Sequence, residues 1–136
     1  MTAWRNYYRG QGNKYNNRKA VVDGITFDSL KEARRWEELK LAERAGAIAD
    51  LERQVRFELI PAQREPDTRG PRGGVKQGKL LERQVIYVAD FVYMDMQTGE
   101  KVVEDVKGMK QGTAYEIFKI KRKLMLERYG IRVKEI

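Results

Sequence analysis

The stretch from Tyr87 to Gly108, YVADFVYMDMQTGEKVVEDVKG, constrains this chain most. Val85, Tyr87, Ala89, Phe91 and Tyr93 alternate with Ile86, Val88, Asp90, Val92 and Met94. A period of two with apolar residues on both faces predicts a strand covered on both sides. Gln97-Thr98-Gly99-Glu100 supplies a turn, and Lys101 to Lys107 returns as the second strand. Asp90 interrupts one apolar face of the first strand. Asp105 and Lys107 share a face of the second with Val103. Two carboxylates brought together on adjacent strands are costly to bury without a partner, and a divalent metal would be one.

The residue types that are missing narrow the chemistry further. There is no cysteine, which excludes disulfides, thiolate zinc sites and thiol nucleophiles. There is no histidine, which excludes imidazole metal sites and Ser-His triads. Catalysis would have to run on carboxylates, lysines, tyrosines or a hard metal ion. No apolar stretch approaches the roughly 20 residues of a membrane span, and the polar N-terminus lacks an apolar signal core, so a cytoplasmic location is expected. The 136 residues suit one domain.

Charge is unevenly placed. The net charge is +8. Residues 1–19 carry Arg5, Arg9, Lys14, Arg18 and Lys19 and no acid. Residues 61–79 carry Arg64, Arg69, Arg72, Lys76 and Lys79 against Glu65 and Asp67. These two segments account for the whole excess. Residues 1–18 read as a flexible basic arm and 62–79 as a long, mobile polar loop, both rich in Gly, Asn, Pro or Gln. Two basic arms on a neutral domain, 19–136, suit a polyanion such as nucleic acid. Trp4, Tyr7, Tyr8 and Tyr15 lie among the N-terminal cations, where aromatic rings can stack on bases or anchor the arm.

The remaining elements follow from local signals. Ala20 to Val22, Asp23-Gly24 and Ile25 to Phe27 read as a small hairpin. Ser29 and Glu32 form a capping-box pattern that opens a helix from Leu30 to Ala45, closed by Gly46. Leu30, Ala33, Leu41 and Ala45 make one apolar arc of that helix; Trp36 and Leu39 make a second beside Glu32. Ile48 to Leu51 begins the next segment, and Val55, Phe57 and Leu59 alternate in a strand ended by Pro61. A second helix spans about Thr113 to Arg128, with Tyr115, Phe118, Arg122, Met125 and Tyr129 on one stripe, Thr113 as its cap and Lys119, Lys121 and Lys123 outside. Ile131 to Ile136 adds a last strand. Without the first hairpin the order is αβββαβ: an α/β fold with a mixed central sheet flanked by helices.

Asp105-Val106-Lys107 is the sharpest chemical signal. The carboxylate can hold a metal while the ammonium approaches the same phosphate. Asp90 on the neighbouring strand can reach that point, and carboxylates with phosphate oxygens and waters suit Mg²⁺. Glu104 points to the opposite face unless a bulge exchanges it with Asp105. Asp95 falls near the turn. Glu32 and Glu37 are both candidates for a third carboxylate from the first helix. Lys110 lies between Gly108 and Gly112, in a loop that lacks the GxxxxGK[ST] pattern, which argues against nucleotide hydrolysis.

Ser29-Leu30-Lys31-Glu32-Ala33, Tyr87-Val88-Ala89-Asp90-Phe91, Val103-Glu104-Asp105-Val106-Lys107-Gly108 and Lys121-Arg122-Lys123-Leu124 occur in this order. Together they resemble the PD-(D/E)xK nuclease superfamily, and within it a family of small phage and prophage endonucleases similar to Holliday junction resolvases, over residues 14–136. The resemblance implies a restriction-endonuclease-like core and hydrolysis of DNA phosphodiesters with Mg²⁺ or Mn²⁺. It implies Asp90, Asp105 and Glu32 as metal ligands, with Lys107 as the catalytic lysine, and so ranks Glu32 above Glu37. The family's usual proline before the first aspartate is replaced by Ala89. Branched DNA as substrate and a homodimer are further implications. Arg5, Arg9, Lys14, Arg18, Lys19, Arg69, Arg72, Lys76, Lys79, Lys110, Lys119 and Lys123 are the expected DNA contacts. The competing expectation is a DNA-binding or phage structural protein that keeps such a fold without turnover.

Overall fold

The structure, a computed structural model, describes residues 19–136. The expected contacts at Arg5, Arg9, Lys14 and Arg18 lie outside the described residues.

Strands β1 (Ala20–Val22) and β2 (Ile25–Phe27) form the first hairpin. Asp23 and Gly24 both have positive φ, 51° and 77°, as a tight primed turn requires. Helix α1 spans Leu30–Arg44, with Ser29 as its cap. Strand β3 is continuous from Ile48 to Ile60, with one register irregularity near its start. Asp50 takes up that irregularity at φ 55°, where the register shifts.

The segment expected as a bare loop, 62–79, contains three short strands, β4 (Gln63–Arg64), β5 (Thr68–Arg69) and β6 (Val75–Lys76), and a fourth, β7 (Leu80–Glu82), follows directly. β4 pairs with β7 and β5 with β6. Strands β8 (Val85–Asp95) and β9 (Lys101–Asp105), helix α2 (Thr113–Tyr129) and β10 (Lys134–Glu135) complete the chain. β9 ends at Asp105 and β10 is only two residues long, both shorter than the alternation suggested. Gly112 caps α2 at φ 91° with no side-chain bond, so Thr113 is not the cap.

The central sheet has the order β10-β9-β8-β3. β10 runs parallel to β9 and the other pairs are antiparallel, so the sheet is mixed. With the short strands set aside, α1-β3-β8-β9-α2-β10 has the expected order.

Two core clusters lie on opposite faces. Under α1, Phe27, Ala33, Trp36, Leu39, Ile48, Phe91 and Tyr93 pack together. The Trp36 ring lies 6.1 Å from both Phe27 and Phe91. Under α2, Phe57, Leu59, Tyr87, Ala89, Val92, Val103, Phe118 and Met125 pack together. α1 buries Glu32, Ala33, Trp36 and Leu39, leaving Leu41 62% exposed. The arc through Trp36, which carries the bulkier side chains, therefore meets the sheet together with Leu30 and Ala33 of the other arc, whose later residues Leu41 and Ala45 stay exposed. Among the described residues no helix is long and apolar enough to cross a membrane.

Candidate active site

The two long strands change faces at one level. Tyr87 and Ala89 belong to the α2 cluster, whereas Phe91 and Tyr93 belong to the α1 cluster. On β3, Val55 packs with the α2 cluster, while the guanidinium of Arg53 lies over Phe27 of the other. Arg53 pairs with Phe91 and Val55 with Ala89, so Gln54 and Asp90 stand between them. Gln54 absorbs the switch at φ 53°, a conformation that costs a non-glycine residue about 1–2 kcal/mol. Asp90 therefore belongs to neither cluster.

The sheet also forks here. The last β8–β9 pair is Phe91 with Glu104, while β8 continues along β3 to Val85. Asp90 and Asp105 are the first residues beyond that last pair. Asp90 Oδ2 accepts from the Val106 amide at 2.8 Å, which holds the two branches together.

β9 alternates regularly. Asp105 faces α2: its Oδ2 accepts from the Tyr87 hydroxyl at 2.6 Å, and its Oδ1 meets Lys107 Nζ at 2.8 Å. Lys107 Nζ also lies 3.6 Å from the centre of the Phe118 ring. Burial, then the charge of Asp105 and its hydrogen bond, push the Tyr87 phenol far above its ordinary value, so it remains a donor. Glu104 faces α1 and is fully buried. Arg35 Nε donates to its Oε2 at 3.0 Å, Arg35 Nη2 donates to Oε1, and the Tyr93 hydroxyl donates to Oε1 at 2.8 Å. That satisfied network makes Glu104 a structural anchor. Asp95 sits in the turn, accepting from the Gln97 amide at 2.8 Å.

Glu32 enters from the first turn of α1. Only half of the capping box forms: Ser29 Oγ accepts from the Glu32 amide at 3.1 Å, while the Glu32 carboxylate turns to the sheet. Gln54 Nε2 lies 3.4 Å from both Glu32 Oε1 and Asp90 Oδ1, at the long limit of hydrogen bonding. Lys31 Nζ donates to the Lys107 carbonyl at 2.8 Å, tying this turn to the end of β9. Glu37 is half-buried and shares no described bond with the cluster.

Asp105 acts on Asp90, and both act on Glu32. Burial first, then Asp90, raise the Glu32 carboxyl from 4.5 to about 7; Asp28 and Asp105 add to this and Arg53 opposes it. Burial, then Asp105, raise Asp90 from 3.8 to about 6, against the Val106 amide, Lys107 and Gln54. This donor set, all hard oxygens with excess negative charge, suits a hard divalent cation in type and charge. Among the described residues, no group of three or more acidic side chains is gathered closely enough to hold a metal ion. The weak bridge through Gln54 spans the interval between Glu32 and Asp90.

A family described as "Protein of unknown function (DUF1064)" matches residues 12–135. The chain belongs to this family. No curated protein and no solved structure matches it.

The basic residues of this DUF1064 chain differ in their freedom. Lys19, Arg69, Arg72, Lys76, Lys79, Lys110 and Lys123 are exposed. Lys119 is engaged, 2.9 Å from Glu116 and over the Tyr115 ring. Two site residues escaped the sequence reading. Tyr87 looked like one more apolar strand residue, and only its hydroxyl marks it. Gln54 carried no signal, since nothing in a strand of mixed polarity predicts a positive φ.

Proposed function

We propose that this DUF1064 protein is a Mg²⁺- or Mn²⁺-dependent endonuclease that hydrolyses phosphodiester bonds of DNA, with branched DNA as its substrate. The observation that carries the proposal is the fork: Asp90 and Asp105 one step beyond the last β8–β9 pair, with Glu32 and Lys107 beside them. The αβββαβ order and the ordered motifs support a restriction-endonuclease-like core of the PD-(D/E)xK kind. The surplus cations support a polyanionic substrate.

Asp90 and Asp105, with Glu32 drawn in across the weak Gln54 bridge, would hold the divalent ion, which when bound lowers the pKa of a water and offsets phosphate charge. Tyr87 orients the Asp105 carboxylate from below. Lys107, steered by Asp105 and the Phe118 face, keeps its ammonium available to the phosphate or to the attacking water. The pair of buried Glu104 with half-buried Arg35 fixes the strand on which Asp105 and Lys107 depend. A dimer would present two such sites to a symmetric junction.

A second reading, a DNA-binding or phage structural protein without turnover, draws on one observation. Both oxygens of Asp105 already have partners, in Tyr87 and Lys107. One experiment separates the readings. Labelled four-way junction, flap and plain duplex DNA are incubated with Mg²⁺ or Mn²⁺ and wild-type, Asp90→Ala or Lys107→Ala protein. Cleavage of branched DNA by wild type alone is expected. No cleavage of any substrate, or equal cleavage by Asp90→Ala, refutes the enzyme.

A further inference from the structure

Between β3 and β8 the chain leaves the central sheet as a two-stranded ribbon. Gln63 and Arg64 pair with Glu82 and Leu80, and Thr68 and Arg69 with Lys76 and Val75. At the tip the Gly70 amide donates to the Gly74 carbonyl at 2.8 Å and the Gly73 amide to the Gly70 carbonyl at 3.0 Å. From Pro61 to Gln84 every residue is exposed except Gly70 and Gly78. The ribbon has no core of its own, and two isolated strands are marginal in water.

It nevertheless has a defined shape. The Glu65 amide donates to the Lys79 carbonyl at 2.9 Å. The Gly78 amide donates to Asp67 Oδ1 at 2.9 Å, and Arg64 Nη1 to the Gly78 carbonyl at 3.1 Å. A Cβ on Gly78 would lie 1.7 Å from the Glu65 carbonyl oxygen and 2.5 Å from its carbon. Only glycine lets the two strands approach this closely.

The distal part is uniformly basic. Residues 68–81 contain Arg69, Arg72, Lys76 and Lys79 and no acid. None of these four has an acidic partner among the described residues. Val75 and Leu81 lie beside them, 69% and 56% exposed. An exposed ribbon with cations along its length and apolar groups between them suits a polyanion that encloses it.

We infer that this ribbon lies in the major groove of duplex DNA, with Arg69, Arg72, Lys76 and Lys79 meeting phosphates along the groove walls. The major groove, about 12 Å wide, admits a two-stranded ribbon, and its thymine methyls offer contacts for Val75 and Leu81. The deep, narrow major groove of A-form RNA does not admit one. The inference rests on DNA as the partner and adds the element and the groove that make the contact. It does not depend on turnover.

Fluorescence anisotropy tests it in EDTA, with DNA and RNA duplexes of one sequence. Wild type is compared with a quadruple alanine variant at 69, 72, 76 and 79 and with Gly78→Ala, which keeps every charge. On DNA the quadruple variant is expected to bind at least about tenfold more weakly, with its log–log salt slope shallower by about 3 to 4. Gly78→Ala is expected to lose affinity for DNA with its melting temperature unchanged, because the ribbon is spread rather than discharged. On RNA both variants should stay close to wild type. Equal losses on the two duplexes, wild-type DNA binding by Gly78→Ala, or an unchanged salt slope would overturn the inference. Failure of wild type to bind DNA would overturn it together with the proposed substrate. Failure of cleavage with these binding results intact would count against the enzyme alone.

Discussion

Replacing Glu32 by glutamine should stabilise the metal-free protein at pH 8. Glu32 is 5% exposed, and its carboxyl is raised from 4.5 to about 7, by burial and then by Asp90. The unfolded chain keeps the ordinary value. Between pH 4.5 and 7 the folded state therefore holds a proton that the unfolded state has released. The associated stability is fully present below pH 4.5 and is lost as pH rises through 7. Taken whole, the shift corresponds to about 3 kcal/mol. Part of the Glu32 shift is the charge of Asp90, whose own rise comes from burial and Asp105, so the two shifts are coupled and are not summed. Solvent at the fork screens part of the remainder, leaving about 1–2 kcal/mol at pH 8. Glutamine keeps an oxygen for Gln54 Nε2 and removes the charge. Thermal unfolding by circular dichroism in EDTA should show a melting temperature higher by about 4–8 °C at pH 8. At pH 5 the advantage should shrink to about a quarter. Added Mg²⁺ should raise the wild-type melting temperature at pH 8 more than the variant's. A variant no more stable than wild type at pH 8, or equally favoured at both pH values, would refute charge crowding at Glu32.

Three further substitutions test neighbouring bonds. Asp90→Asn keeps an acceptor for the Val106 amide and removes a charge facing Asp105, so a higher melting temperature at pH 8 and loss of cleavage are expected together; retained cleavage would detach Asp90 from the chemistry. Tyr87→Phe leaves one oxygen of the buried Asp105 without its donor and should cost about 1.5–3 kcal/mol in urea unfolding; an unchanged midpoint would show that the bond contributes nothing. Arg35→Met strands the charge of Glu104 and should cost about 3–5 kcal/mol, most of it regained when Glu104→Leu is added; a double variant no more stable than the single would contradict this account.

Local pattern carried much of the fold. The alternation around Asp90 identified β8, Ser29 and Gly46 bracketed α1, and the opposite orientations of Glu104 and Asp105 followed from the pleat. What remained hidden depended on distant partners. Leu41 and Trp36 lie on competing apolar arcs of α1, and only docking against Phe27 and Phe91 selects Trp36. The same holds for Glu32: Ser29 claims its amide from within the helix, but its carboxylate goes to Gln54, 22 residues away. The strands of the basic segment escaped notice because Thr68, Arg69, Val75 and Lys76 form pairs too short to show a period.

The face switch at Gln54 and Asp90 links stability to the proposed function. In a regular strand, Asp90 would share the face of Val88 and Val92, and its carboxylate would either be driven into a core or lie flat in solvent. The switch leaves it at a fork, half-buried and close enough to Asp105 and Glu32 that Asp105 raises its affinity for protons and it raises that of Glu32. The cost is local: one residue at positive φ and a set of like charges. The structure bears it because rigid anchors stand on both sides, Glu104 with Arg35 and Tyr93 under α1, and Tyr87 with Phe118 under α2. Mutations that relax the acids should therefore stabilise the fold and weaken the proposed capture of a cation, whereas mutations in the anchors should weaken both. Above the raised values of Glu32 and Asp90, where protons no longer do so, a divalent ion would relieve the repulsion without removing a carboxylate, and the proposed catalytic centre rests on that property of the fork.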